Sequence, residues 1–146
     1  MAIYERILVP TDGSAASRKA AKHAIALASE QGAEIHAIYV INSASFSGLT
    51  VESSWEGVSE MLREEGQDAV DEVVELATEA DVRVETTLLT GTPSQEIVRY
   101  AENQDCDLIV MGTHGRGGID RLLLGSVAER VVRASDVPVL TVREAE

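Results

Sequence analysis

The spacing of apolar positions along the chain changes several times, and each change predicts a new element. Ile3 to Val9 is a short apolar run, the pattern of a strand. Across 14–30, Ala16, Ala20, Ala24, Leu27 and Ala28 recur at helical spacing, and Gly32 follows as a C-terminal stop. Ile35 to Ile41 predicts a second strand. Residues 56–80 carry Val58, Met61, Leu62, Ala69, Val73, Leu76 and Ala77, a long amphipathic helix with glutamates on its wet face. Val82 to Leu89 predicts a third strand. Thr92-Pro93-Ser94-Gln95 has a cap residue, a proline at the first helical position and a glutamine three after the cap, a capping-box signature for a helix to about Gln104. Leu108 to Met111 is a fourth strand. Ser126-Val127-Ala128-Glu129 is a second capping box, opening a last helix, and Val137 to Val142 is a fifth strand with Pro138 near its start.

Strands and helices in strict alternation imply an α/β fold with parallel strands and helical crossovers. Near-continuous apolar strands fit a sheet buried on both faces. With no internal repeat and no linker, residues 1–146 are expected to form one domain. In such sheets ligands bind beyond the carboxyl ends of the strands, where strand order reverses. Chemistry is therefore expected in the loops Pro10 to Ser14, Ile41 to Trp55, Gly91-Thr92 and Gly112 to Gly125. The 42–55 segment is serine-rich yet holds Phe46, Leu49, Val51 and Trp55. It reads as a lid, a partner surface or a short extra helix, or else as an insertion that buries its aromatics locally.

Charge narrows the partners. The net charge is -13, and only Lys19 and Lys22 of the twelve basic residues are lysines. An acidic, lysine-poor surface suits a high-salt cytoplasm, as in a halophile, and equally describes an ordinary acidic bacterial protein. Either way it argues against nucleic acid, whose backbone needs a basic face, and against anionic membrane surfaces. The single cysteine, Cys106, excludes an internal disulfide and fits a reducing cytoplasm. Its neighbours Asp105 and Asp107 disfavour a thiolate. The N-terminus lacks the pattern of a signal peptide, and no apolar stretch is long enough to cross a bilayer.

Candidate chemistry gathers in two loops. Gly112 follows a strand, where a missing side chain lets a ligand approach the backbone. Gly115, Gly117 and Gly118 give a loop that can turn N–H groups inward, and Arg116 and Arg121 are the nearest cations. Gly125 precedes the last helix, where Ser126 and Val127 offer unpaired N–H groups to an anion. Ser126 also reads simply as the helix cap. In the other loop, Val9-Pro10-Thr11-Asp12-Gly13-Ser14, Asp12 can hold a Mg²⁺ that accompanies phosphates, or Asp12 or Ser14 caps the first helix. His114 reads as polar surface. His23 and His36 have no metal-ligand spacing to each other. Neither GxxxxGK nor an N-terminal GxGxxG is present.

These residues resemble a known family. Gly112-x₂-Gly115-x₉-Gly125-Ser126 is similar to the nucleotide motif of the universal stress proteins, and Ile7-Leu8-Val9-Pro10-Thr11-Asp12-Gly13-Ser14 to their first strand and loop. Asp107 to Gly112 and Val137 to Val142 resemble their last two strands. The resemblance implies a three-layer α/β/α domain of the adenine nucleotide alpha hydrolase-like type, with five parallel strands in the order 3-2-1-4-5. It also implies ATP bound where strands 1 and 4 meet, as in the family's ATP-binding subgroup. The aspartate after strand 1, here Asp12, would lie near ribose, phosphates or metal. Val40 would meet adenine through its backbone, and Gly112, Gly115, Arg116, Gly125, Ser126 and Val127 would hold ribose and phosphates. With the flanking Pro10, Thr11, Met111 and Gly117, these make up the expected cofactor site, with Asp12 as the metal ligand. The resemblance further implies a homodimer through the last strand, and an exposed apolar edge at Val137 to Val142 independently needs covering.

Three functions follow as expectations. The first is an ATP-binding regulatory stress-response protein whose loop between Gly112 and Gly125 alters the surface offered to a protein partner. The second is a slow ATPase or nucleotide-dependent enzyme using the same site, although no general base is evident. The third is a dimeric structural module whose glycines serve packing alone.

Overall fold

A computed structural model describes residues 3–43, 52–114 and 124–143, and side chains within the first turns of the second helix, through 58, are not described. The elements are β1 (Arg6–Pro10), α1 (Ala15–Gln31), β2 (Glu34–Asn42), α2 (Glu52–Glu79), β3 (Val84–Gly91), α3 (Pro93–Asn103), β4 (Leu108–Gly112), α4 (Ser126–Ala134) and β5 (Val139–Val142). All strand pairs are parallel, and the sheet order is β3-β2-β1-β4-β5. The predicted α/β architecture and strand order are therefore observed.

Strand alternation divides the core into two layers. Ile7, Val9, Ile35, Ala37, Leu108 and Val110 face α1 and α2, where they meet Ala20, Ala24, Ala28, Val70, Val73 and Ala77. Leu8, Ile38, Ile109 and Met111 face α3 and α4 and meet Ile97, Ala101, Ala128 and Val131. The alanines of α1 allow that helix to lie close on the sheet. Gly32 ends α1 in the left-handed conformation, with φ 70°, and its N–H bonds Ala28 O. This is the predicted stop.

Several expectations shift. The first strand begins at Arg6, and Ile3 is 75% exposed. The helix predicted over 56–80 starts at Glu52, so the last part of the 42–55 segment is helical and Asn42 ends β2. Its residues 44–51 lie outside the described residues. Met61, expected on the apolar side of α2, is 67% exposed. Thr92 is the N-cap of α3, but its side chain makes no cap hydrogen bond. Ser126 is the first helical residue of α4, and the N-cap is Gly125. Neither capping box forms, because the sequence pattern fixes residue types and not the rotamers or backbone angles that close the ring of bonds. The edge strands β3 and β5 are only half-buried, unlike the inner three.

Candidate functional site

The carboxyl ends of β2, β1 and β4 lie side by side, and the predicted site residues in the described chain stand there. Register makes the arrangement definite. β1 pairs with β2 only as far as Pro10 opposite Ile38, whereas β2 continues to Asn42. Thr11 N donates to Ile38 O at 2.9 Å, so Ile38 turns its main chain toward β1. Val40, two residues on, turns its N–H and C=O the same way, past the end of β1. On the other flank, Ile109 N and Thr113 N donate to Pro138 O and Val142 O of the β5 segment. The intervening Gly112 therefore turns its main chain toward the β1 loop. Met111 belongs to the core: it is 5% exposed and packs with Ile109, Ala128 and Val131.

The β1 loop is held by its own side chains. Thr11 is buried, and its hydroxyl accepts from Gly13 N at 3.2 Å and shares a hydrogen bond with Ser17 Oγ at 3.1 Å. Asp12 Oδ1 accepts from Ser14 N at 2.9 Å, the local turn aspartate favours. Gly13 takes φ 79°, which the turn requires. Ser14 is the N-cap of α1, its Oγ accepting from Ser17 N at 3.2 Å. Between the two cap readings, Ser14 is the cap. Asp12 shapes the loop and is half-buried at the rim.

The β4 loop closes on itself. Gly125 N donates to Thr113 O, which brings the start of α4 to the end of β4. A Cβ on Gly125 would lie 3.2 Å from both Thr113 O and His114 Cα. Ser126 is exposed and Val127 half-buried, at positions whose N–H groups have no partner within the helix. His114 Nδ1 lies 3.2 Å from Thr113 Oγ1. Gly115, Arg116 and Gly117, with Gly118 and Arg121, lie outside the described residues.

At Gly112 the space a side chain would take is filled by α1. A Cβ there would lie 2.9 Å from Ala16 C and Ala16 Cβ and 3.0 Å from Ser17 N. The missing side chain makes room for α1, not for open space above the strand. Cys106 is 3% exposed, and its thiol is pushed up to about 12, first by burial and then by Asp107, which agrees with an unreactive cysteine. Sequence spacing overlooked one cluster at the opposite end of the sheet: Glu34, His36 and Glu85 gather on the α3 side. The signal was available in the i, i+2 spacing of Glu34 and His36 on a strand, but pairing with Glu85 depends on the β2–β3 register.

A doubly wound α/β domain, with the β1 turn and the start of α4 standing at the carboxyl ends of β1 and β4 where strand order reverses, is the class defined by this fold. The chain belongs to the universal stress protein family, whose model matches residues 3–143. It is 51% identical over 142 residues to universal stress protein MJ0531 of Methanocaldococcus jannaschii, covering 97% of this chain and 84% of that protein. The solved structure of MJ0577, from the same organism, superposes with a TM-score of 0.88 at 31% identity and covers 99% of both chains. A universal stress protein solved in complex with cAMP superposes with a TM-score of 0.67 at 26% identity, over 97% of this chain and 98% of that one. Among the described residues no helix is long and apolar enough to cross a membrane.

Proposed function

We propose that this protein is a nucleotide-dependent regulatory module of the stress response that binds ATP with Mg²⁺ in the crevice between the β1 and β4 loops. The observation that carries the reading is the gathering of main-chain groups at one place. Val40, Gly112 and the N-terminus of α4 all present backbone to the ends of β1 and β4, and Asp12 stands at the rim. The helix start favours an anion by about 0.3–1 kcal/mol at an exposed site. Adenine is assigned to the Val40 backbone, phosphates to Ser126 and Val127 with Gly115, Arg116 and Gly117, and Mg²⁺ to Asp12 and phosphate oxygens. The cAMP-bound relative supports an adenine nucleotide as the ligand class.

The acting form is a cytoplasmic homodimer. β5 pairs with β4 on one side only, and all four of its residues are half-exposed. Pairing with a second β5 would cover that edge. The nucleotide would set the conformation of the loop between Gly112 and Gly125, and thereby the surface offered to a protein partner.

The test is mass spectrometry of nucleotide released from purified protein, paired with calorimetry of Mg-ATP. Bound adenylate and a saturable heat support the reading. An empty protein with no heat of binding overturns it. Asp12→Ala should remove the Mg²⁺ dependence of affinity, while the loss of one part-buried local hydrogen bond to Ser14 N costs only about 1 kcal/mol of stability and leaves the protein folded.

A further inference from the structure

A second site lies at the amino end of the sheet, away from the nucleotide crevice and independent of it. Glu34 and His36 are two apart on β2, and His36 stands opposite Glu85 of β3. One donor atom from each of the three lies within 4.8 Å of the others. His36 Nε2 is 3.4 Å from Glu85 Oε2 and 3.8 Å from Glu34 Oε1.

The His36 side chain is only 3% exposed, yet Nε2 has no hydrogen-bond partner; among the described residues it is the buried side-chain polar atom left in that state. Such an atom is expensive to leave unsatisfied. It points at two carboxylates, and Glu85 is 63% exposed, so the cluster opens to solvent on one side.

We propose that Glu34, His36 and Glu85 form a binding site for a borderline divalent cation of the zinc, cobalt or nickel class. One imidazole and two carboxylates suit these metals better than Mg²⁺ or Ca²⁺, which take oxygen alone. Metal–donor bonds of about 2.0–2.2 Å at tetrahedral angles put donor atoms roughly 3.3–3.5 Å apart. The His36–Glu85 separation already meets that, rotation of the exposed Glu85 can bring its oxygen toward Glu34, and the 3.8 Å between His36 Nε2 and Glu34 Oε1 closes with a few tenths of an ångström of movement in the Glu34 carboxylate. Water completes the coordination on the open side.

The surroundings have the form that metal sites use to orient their ligands. His36 Nδ1 lies 2.8 Å from Tyr100 Oη. With Nε2 on a metal, the ring proton sits on Nδ1 and is donated to that hydroxyl. Arg6 Nε donates to Glu34 Oε1 at 2.9 Å and fixes the carboxylate, while Arg6 Nη1 is drawn off to Gln104 O at 2.8 Å. Arg6 is the cation that opposes binding, and two glutamates outweigh it.

The experiment titrates nucleotide-free protein with Co²⁺ by absorption spectroscopy and with Zn²⁺ by calorimetry, in the presence of millimolar Mg²⁺. One equivalent should bind, with the visible bands of low-coordinate Co²⁺. Glu85→Gln, at an exposed position, should weaken binding more than tenfold and leave the fold intact. Tyr100→Phe should weaken it about 10–100-fold, as loss of a ligand's hydrogen-bond partner does. Glu75→Gln, an exposed charge on α2, should change nothing. Absence of the Co²⁺ bands, or equal losses in Glu85→Gln and Glu75→Gln, would mean diffuse attraction to an acidic surface and would overturn the site.

Discussion

Gly112→Ala separates the two uses a glycine can have in this loop. If the glycine exists to admit a ligand, alanine should weaken nucleotide binding and spare stability. The geometry says otherwise. The new Cβ would sit 2.9 Å from Ala16 C, 2.9 Å from Ala16 Cβ and 3.0 Å from Ser17 N. Two of these three atoms are backbone, so no rotamer change relieves the contact. Either α1 lifts from the sheet or the end of β4 bends. Both are held: Ala16 and Ser17 are buried, and Thr113 N is bonded to Val142 O at 2.9 Å. Overpacking of this kind costs about 1–3 kcal/mol. At this chain length that is roughly 3–10 °C in melting temperature.

Differential scanning calorimetry of Gly112→Ala, alone and combined with Ala16→Gly, reads the effect. Ala16→Gly removes one of the two 2.9 Å contacts and itself costs about 0.5–1 kcal/mol in helix propensity. The pair should therefore show a favourable coupling below about 1 kcal/mol, because the backbone contacts remain. A melting shift under 1 °C for Gly112→Ala, with nucleotide affinity lost, would refute the packing argument and restore the ligand role.

Ser14→Ala removes the side chain that accepts from Ser17 N and should cost about 1 kcal/mol in urea unfolding, whereas Thr92→Ala, whose hydroxyl caps nothing, should stay within about 0.5 kcal/mol; equal losses would show that the caps were misassigned. Cys106 should resist iodoacetamide at pH 8 in the native protein and react at the ordinary rate in urea, because a thiol moved from 9.0 to about 12 holds roughly a thousandfold less thiolate. The sign of its contribution to stability follows. The folded value lies above the unfolded one, so the stability Cys106 supplies is complete below pH 9 and is lost as pH rises toward 12. A Cys106→Ala comparison across that range checks it. With a net charge of -13, the melting temperature should rise between 0.05 M and 1 M NaCl as repulsion is screened, and a flat response would show that the acidic surface does not burden the fold.

Elements were legible where one local rule sufficed. The alanine spacing of α1, the stop at Gly32 and the alternation of strands with helices all reached the structure as read. Ends were less legible, because a strand begins where a partner exists. Ile3 is as apolar as Ile7, but pairing with β2 starts at Arg6 opposite Glu34. The capping boxes failed for a related reason: Gly125 takes φ -73° and ψ 169°, so the cap falls one residue before the serine that carries the side chain. For the candidate site, sequence located the loops but could not assign jobs inside them. Ser14 caps the helix while Asp12 braces the turn, and Gly112 serves α1, although any of them fits a phosphate motif equally well on paper. The Glu34–His36–Glu85 cluster needed the β2–β3 register, which no local pattern contains.

β2 carries both proposed sites. His36 and Val40 are four residues apart on the same face, with the fully buried Ile38 between them, a span of about 13 Å. If metal at one end altered nucleotide affinity at the other, the effect would have to pass along this strand. Allosteric coupling needs an element with two arrangements that each ligand favours differently. β2 offers none: it is paired with β1 through Pro10 and with β3 from Ile35 to Asn42, and its inner residues are buried on both faces. The expected coupling is therefore a factor near one. Adenosine, which binds zinc far more weakly than ATP does, is the suitable ligand for the measurement. Its affinity should be the same within twofold with and without one equivalent of Zn²⁺. A tenfold change, which corresponds to about 1.4 kcal/mol, would show that the strand slides or that α3, which touches the metal cluster through Tyr100, moves as a unit with the crevice.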